Sequence, residues 1–322
     1  PGTGSQIEKL FADSGTEISY VSNPEFLREG TAIQDTLSPD RVVAGGSNKA
    51  AVNGVLDIYR TLETRRAAVA KLAKVALFDW QVAYMQVGLA SAELAKVSSN
   101  AHLAMRISFA NNMAKVADAT GADITEVMDI VGSDRRIVPA FLTTGRGFDG
   151  GCFPKDNSGL IDFGEKHGVN MGIMRAVQET NETMPAFIVE KLKRTLGGEL
   201  TGKRVAVLGL SFNAGTSDVR KSPSIAIANI LAANDAVVTA YDPEANEEAA
   251  TELDGSIQIR DSIEQALHGV EVVVVATDWP QLLQYPVTEY AKNSTVFVDA
   301  MNRFSSDEIR AAGLTYVGVG RP

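Results

Sequence analysis

Cys152 is the only cysteine of the chain and stands in the stretch "GFDGGCFPKD", residues 147–156. A thiol attacks as its thiolate, which a nearby cation and a helix N-terminus both favour. Lys155 supplies the cation, Lys155 and Asp156 open a helix after Pro154, and the flanking glycines let backbone and ligand approach closely. A lone cysteine is more often a buried structural residue. Such residues usually sit in apolar runs, and this one does not, so its setting points to nucleophilic chemistry.

Lys96 and Asn100 lie four residues apart in the otherwise apolar stretch "AELAKVSSNAHLAM". On a helix they share one face. An ammonium beside an amide suits a developing oxyanion; the alternative is a solvated polar stripe. Glu25, Arg28 and Glu29 crowd the loop "NPEFLREG" after an expected strand. Loops at the carboxyl ends of parallel strands carry sites, and the alternative is a solvated charge cluster.

Two glycine stretches need sorting. "GRGFDG", residues 145–150, has the spacing of a dinucleotide fingerprint. It follows a helical segment instead of a strand, so it reads as a glycine loop. "VAVLGLSFNAG" follows a strand but lacks the middle glycine. Asp242, ending the next strand, is a candidate acceptor for a ribose hydroxyl, with an ordinary α/β turn as the alternative. The chain shows no convincing NAD fingerprint, which for a nicotinamide enzyme is expected upstream of Pro1.

The elements that must position these groups fall into three stretches. Residues 1–46 read as a helix closed by Gly15, then two short buried strands, "EISYVSNPEF" and "DRVVAGG". Residues 47–132 read as nearly continuous helix, fit for a subunit interface or a domain bridge. Asp123 and Glu126 form a capping-box pattern. From Gly202 strands and helices alternate, with Ser222 capping a helix that has Pro223 in its first turn, as in a parallel doubly wound α/β domain.

The 322 residues suggest two domains of ordinary soluble composition, 45% hydrophobic and 22% charged. A net charge of −10 argues against nucleic acid or an acidic membrane as partner. A single cysteine forms no internal disulfide, as in a reducing cytoplasm. No apolar run is long enough for a membrane span, and no metal site is assigned.

Several stretches in this order resemble the UDP-glucose/GDP-mannose dehydrogenase family: "SNPEFLREGTAI", "SAELAKVSSNAHLAMRISFANN", "GFDGGCFPKD", "VAVLGLSFNAGTSDVRKSPSI" and "VFVDAMNRF". "REGTAIQDTLSPDRVVAGG" is more similar to the UDP-glucose branch. The resemblance implies an α/β fold in three parts. Residues 1–88 would be the remnant of an NAD-binding Rossmann domain that lacks its first half. Residues 89–200 would be a helical dimerisation domain with a long central helix, and 201–322 a Rossmann-like domain holding the UDP-sugar. It implies a homodimer in the cytoplasm and two NAD-dependent oxidations of a sugar C6 alcohol through a thioester on Cys152.

Lys96 and Asn100 would then stabilise the oxyanion, Asp156 would join the acid/base network, and Glu25 would assist hydrolysis. Phe26, Leu27, Arg28, Arg136, Phe153 and the loop 143–149 with Gly147 and Phe148 would contact substrate. Glu29, Lys155 and Arg220 would approach NAD. Four features depart from the family pattern. Asn213 stands where Lys is usual, Met301 where Arg is usual, and Asp149 replaces a glycine, adding charge near the diphosphate. Residues 64–88 look inserted or reworked. These leave open a non-catalytic nucleotide-binding dimer, or a GDP-mannose or UDP-N-acetyl-sugar dehydrogenase.

Overall fold

A computed structural model describes residues 2–28, 30–292 and 294–322. Glu29, assigned above to the NAD contacts, lies outside them. The chain divides into two compact units, Pro1–Asn100 and Ala101–Pro322.

In the first unit α1 (Thr3–Asp13) and α2 (Ala32–Leu37) precede β1 (Arg41–Gly45), α3 (Lys49–Ala73) and β2 (Ala83–Val87). The strands pair in parallel, Arg41 opposite Ala83 and Gly45 opposite Val87, which requires a long crossover, here α3. Asn48 starts α3 by accepting from the N–H groups of Ala50 and Ala51, and Lys74 ends it in the left-handed region at φ 55°. Val42, Ala44, Val52, Leu56 and Val82 form the core between strand and helix.

Two expectations fail in this unit. The helix expected over 47–132 is broken: α3 stops at Ala73, and β2 intervenes before α4 (Leu89–Thr120). The residues of β2 form a strand because β1 offers an edge, a pairing distant in sequence that helical spacing does not reveal. The segment 17–23 is extended but not a strand. Its ladder is one antiparallel bridge, Ser22 to Gly45, with the Asn23 side chain donating to the Val43 carbonyl.

The second unit takes up the chain at Ala101, within α4. It continues with α5 (Ile124–Gly132), α6 (Phe153–Lys166), α7 (Gly172–Glu182) and α8 (Met184–Thr195). Then follow β3 (Arg204–Leu208), α9 (Pro223–Ala233), β4 (Val237–Tyr241), α10 (Asn246–Ala249), β5 (Gln258–Ile259) and α11 (Ile263–Leu267). The last elements are β6 (Val272–Val275), α12 (Pro280–Leu283), α13 (Val287–Ala291), β7 (Val296–Asp299), α14 (Ser306–Ala311) and β8 (Thr315–Gly318).

The sheet order is β5-β4-β3-β6-β7-β8, every pair parallel. Alternate residues bury on opposite faces: Val205, Val207, Val272 and Val274 on one, Ala206, Leu208, Val273 and Val275 on the other. The four valines of β6 are all buried, the signature of a strand covered on both sides. Ser222 caps α9 by accepting from Ser224 N–H, with Pro223 in the first turn. The order reverses between β3 and β6, so ligand-binding turns belong at the carboxyl ends of these strands.

Candidate active site

Cys152 is exposed and is the N-cap residue of α6, its carbonyl accepting from Asp156 N–H at 2.9 Å. Asp156 lies in the first helical turn, where a carboxylate suits the helix dipole. Lys155 Nζ is 3.6 Å from it.

The loop before the thiol is held from several directions. Gly145 N–H donates to Asn111 Oδ1 at 2.9 Å. Asn181 accepts from Phe148 N–H at 2.7 Å and donates to the Phe148 carbonyl at 2.8 Å. Gly147 has φ +107°, and a Cβ there would lie 2.5 Å from Asn181 Oδ1, so only glycine fits. A Cβ on Gly150 would lie 2.9 Å from the Phe212 ring, and one on Gly151 3.1 Å from the Arg220 guanidinium. The glycines around the thiol therefore admit an aromatic ring and a cation. Phe148 is buried with Ala104 and Val177, edge-on to Phe153 at 5.9 Å, so its side chain packs the loop down.

Arg220 donates to both carboxylate oxygens of Asp218. This hydrogen bonding outweighs burial and holds Asp218 below its ordinary value. Arg136 is exposed and forks onto Asp134, whose carboxyl it likewise lowers.

In the first unit, Glu25 Oε1 lies 2.9 Å from Lys96 Nζ, and Glu25 Oε2 accepts from Leu27 N–H at 2.6 Å. The Phe26 ring lies under the Arg41 guanidinium at 3.8 Å and 5.7 Å from Lys96 Nζ, a cation–π stack. Asn100 is 8% exposed, so it and Lys96 are not a solvated stripe. Leu27 is exposed. Arg28 forks onto Asp35. Burial pushes Asp35 up, but the Arg28 hydrogen bonds prevail and its pKa is lowered.

Two assignments change. Asp242 is buried and fully engaged. Its Oδ2 accepts from Leu210 N–H, Ser211 N–H, Ser211 Oγ and Trp279 Nε1, and its Oδ1 from the N–H groups of Glu244 and Ala245. It organises the turn after β3 and is not poised for a ribose. Asp149 does not add charge to a diphosphate site. It is buried against Arg146, Nη1 to Oδ2 at 2.5 Å, and so is neutralised inside the protein. Of the other departures, Asn213 is exposed, and Arg303, two residues beyond Met301, pairs with Asp278 at 3.0 Å.

Asp35, Glu93, Asn111 and Asn181 are not singled out by the sequence reading, although the first three lie in the quoted family-like stretches; each accepts from a backbone N–H of its own unit. Glu93 accepts from Gly2 and Gly4 N–H at 2.5 and 2.6 Å. A carboxylate thus fills the start of α1, and a dinucleotide pyrophosphate does not fit there. The Arg220 side chain, 72% exposed beside Gly151, and exposed Lys155 do fit an anionic or amide group brought to the thiol.

The chain matches the NAD binding domain of the UDP-glucose/GDP-mannose dehydrogenase family over 1–63. It matches the family's central domain over 90–183 and its UDP binding domain over 206–306. It is 37% identical to UDP-glucose 6-dehydrogenase YwqF of Bacillus subtilis, covering 99% of this chain and 70% of that protein. It is 36% identical to UDP-glucose 6-dehydrogenase of Rickettsia conorii, covering 99% and 71%. Among solved structures, a UDP-glucose dehydrogenase from Pyrobaculum islandicum superposes with TM-score 0.85 at 35% identity, covering 100% of this chain and 69% of that one. The chain belongs to the UDP-glucose/GDP-mannose dehydrogenase family.

Proposed function

We propose that this nucleotide-sugar dehydrogenase oxidises UDP-glucose to UDP-glucuronate with Cys152 as nucleophile. The observation that carries the reading is the sole thiol, exposed at the start of α6 next to Gly151, which the Arg220 guanidinium approaches, in a chain 37% identical to a UDP-glucose 6-dehydrogenase. When bound, NAD takes up the hydride of each oxidation.

The residues of this chain do the rest. After the C6 alcohol has become an aldehyde, the Cys152 thiolate bonds to C6, and the carbonyl oxygen becomes a thiohemiacetal alkoxide. Lys96 and Asn100 stabilise that oxygen. Loss of the C6 hydride leaves a thioester. Water adds to it, the C6–Sγ bond breaks, and the thiolate and the acid are released. Asp156 and Glu25 relay the protons of this step; Glu25 is already paired with Lys96. Phe26, Leu27, Arg28, Phe153 and the loop 143–149 frame the sugar nucleotide. Gly147 and Phe148 set the loop's path, and Lys155 and Arg220 face the cofactor.

The domain division proposed is 1–88 for NAD, 89–200 for dimerisation and 201–322 for UDP. The exposed Phe109 and Val116 of α4 support a homodimer through this helix, with Arg136 reaching the partner's substrate. Among the described residues no helix is long and apolar enough to cross a membrane, and a cytoplasmic enzyme is the proposal.

The test is product stoichiometry in the intact gene product. Two NADH per UDP-glucuronate are expected. Turnover of GDP-mannose or a UDP-N-acetyl sugar in preference to UDP-glucose would refute the substrate. Asn213 and Met301, uncharged where the family carries cations, favour a second reading: a nucleotide-binding dimer without turnover. That reading requires UDP binding and no NADH under any of these substrates.

A further inference from the structure

The Arg146 guanidinium is 2% exposed, and its donors reach three separate segments. Nη1 donates to Asp149 in its own loop, Nη2 to the Phe212 carbonyl after β3, and Nε to Met301 Sδ after β7. Its backbone N–H donates to the Ala300 carbonyl at 2.8 Å, and Asn302 Nδ2 donates to Thr144 Oγ1 at 2.7 Å. A buried ion pair is a poor source of net stability but fixes geometry, and a planar fork can serve three directions at once. Phe212 and Met301 lie in the stretch matching the UDP binding domain, and Cys152 follows Asp149 by three residues.

We infer that the buried Arg146–Asp149 pair is a positioning device that pins the Cys152 loop to the strand-end turns of the UDP-binding domain and couples nucleotide binding to the thiol. The inference rests on Cys152 being the reacting group and on UDP binding at those turns. Asp149 keeps the guanidinium neutralised and aimed, so that the turns after β3 and β7 and the thiol loop hold one arrangement. A nucleotide that orders either turn then orders the loop carrying the nucleophile.

The test is the rate of iodoacetamide labelling of the single cysteine, with and without UDP, in wild type, Arg146→Lys and the double variant Arg146→Met/Asp149→Leu. Lysine keeps the charge and loses the fork, while the double variant removes both charges without leaving one unpaired. Both variants should label about threefold faster or more, through local opening of the loop. UDP should slow labelling of wild type and leave both variants unchanged. Wild-type labelling rates in the folded variants would overturn the pinning. A UDP effect surviving in them, or absent from a wild type that binds UDP by calorimetry, would overturn the coupling. A wild type that does not bind UDP refutes the nucleotide reading and the coupling with it, while ligand-free labelling still decides the pinning.

Discussion

Asp242→Asn separates the buried role of this carboxylate from a ligand-binding one. The substitution preserves shape but leaves one acceptor oxygen where two served. If that oxygen keeps the Oδ2 partners, the new amide group faces the N–H groups of Glu244 and Ala245, which now donate to Oδ1 at 2.9 and 3.0 Å. The opposite rotamer faces Leu210, Ser211 and Trp279, which is worse. The Ala245 donor is buried and the Glu244 donor only partly so; a buried donor left unsatisfied costs about 1–3 kcal/mol and a partly buried one less, so the expected loss is about 3 kcal/mol. For a unit of this size that lowers Tm by roughly 10 °C. Urea unfolding followed by Trp279 fluorescence, in a Trp80→Phe background, reads the change. A stability within about 1 kcal/mol of wild type, with UDP affinity lost, would show that the carboxylate serves a ligand and would refute this assignment.

Other outcomes follow from the same contacts. Asp123→Ala removes the α5 cap, in which the carboxylate accepts from Thr125 N–H at 2.8 Å, and should cost about 1 kcal/mol in denaturant melts. Gly147→Ala places a methyl 2.5 Å from Asn181 Oδ1 at φ +107° and should destabilise by about 2 kcal/mol, read as a lowered Tm. Asn181→Ala strips both bonds from Phe148 and should cost about 2 kcal/mol. Asp218 is held low by Arg220. Its contribution is full above the unfolded carboxylate pKa of about 4 and fades as pH falls through the lower folded value. The stability gap between wild type and Asp218→Asn should therefore shrink below about pH 4 in acid denaturation.

The second unit was legible because its signals are local. Strand and helix alternation after Gly202, Ser222 before Pro223 and Asp123 before α5 each rest on signals within a few residues, and all three stand as expected. β2 was not legible. Its residues suit a helix, and it is a strand because β1, about forty residues earlier, offers an edge. Residues 17–23 erred the other way: Ile18, Tyr20 and Val21 suit a strand, but only Ser22 finds a ladder partner. Of the proposed site residues, Cys152, Lys96 and Asn100 are singled out by residue type and spacing. Asp149 misleads, because its charge is cancelled by Arg146, whose other contacts lie beyond residue 200. Asn111 and Asn181 accept from backbone N–H groups distant in sequence, a role that residue type does not reveal, although Asn111 lies in a quoted family-like stretch.

The covalent role of Cys152 is the claim on which the mechanism stands, and the most direct measurement is UDP-glucuronate formation by Cys152→Ser in the intact gene product. With no thiolate to bond C6, the variant should form no acid while still binding UDP and keeping the wild-type melting curve. Acid produced by that variant at the wild-type rate would contradict the account.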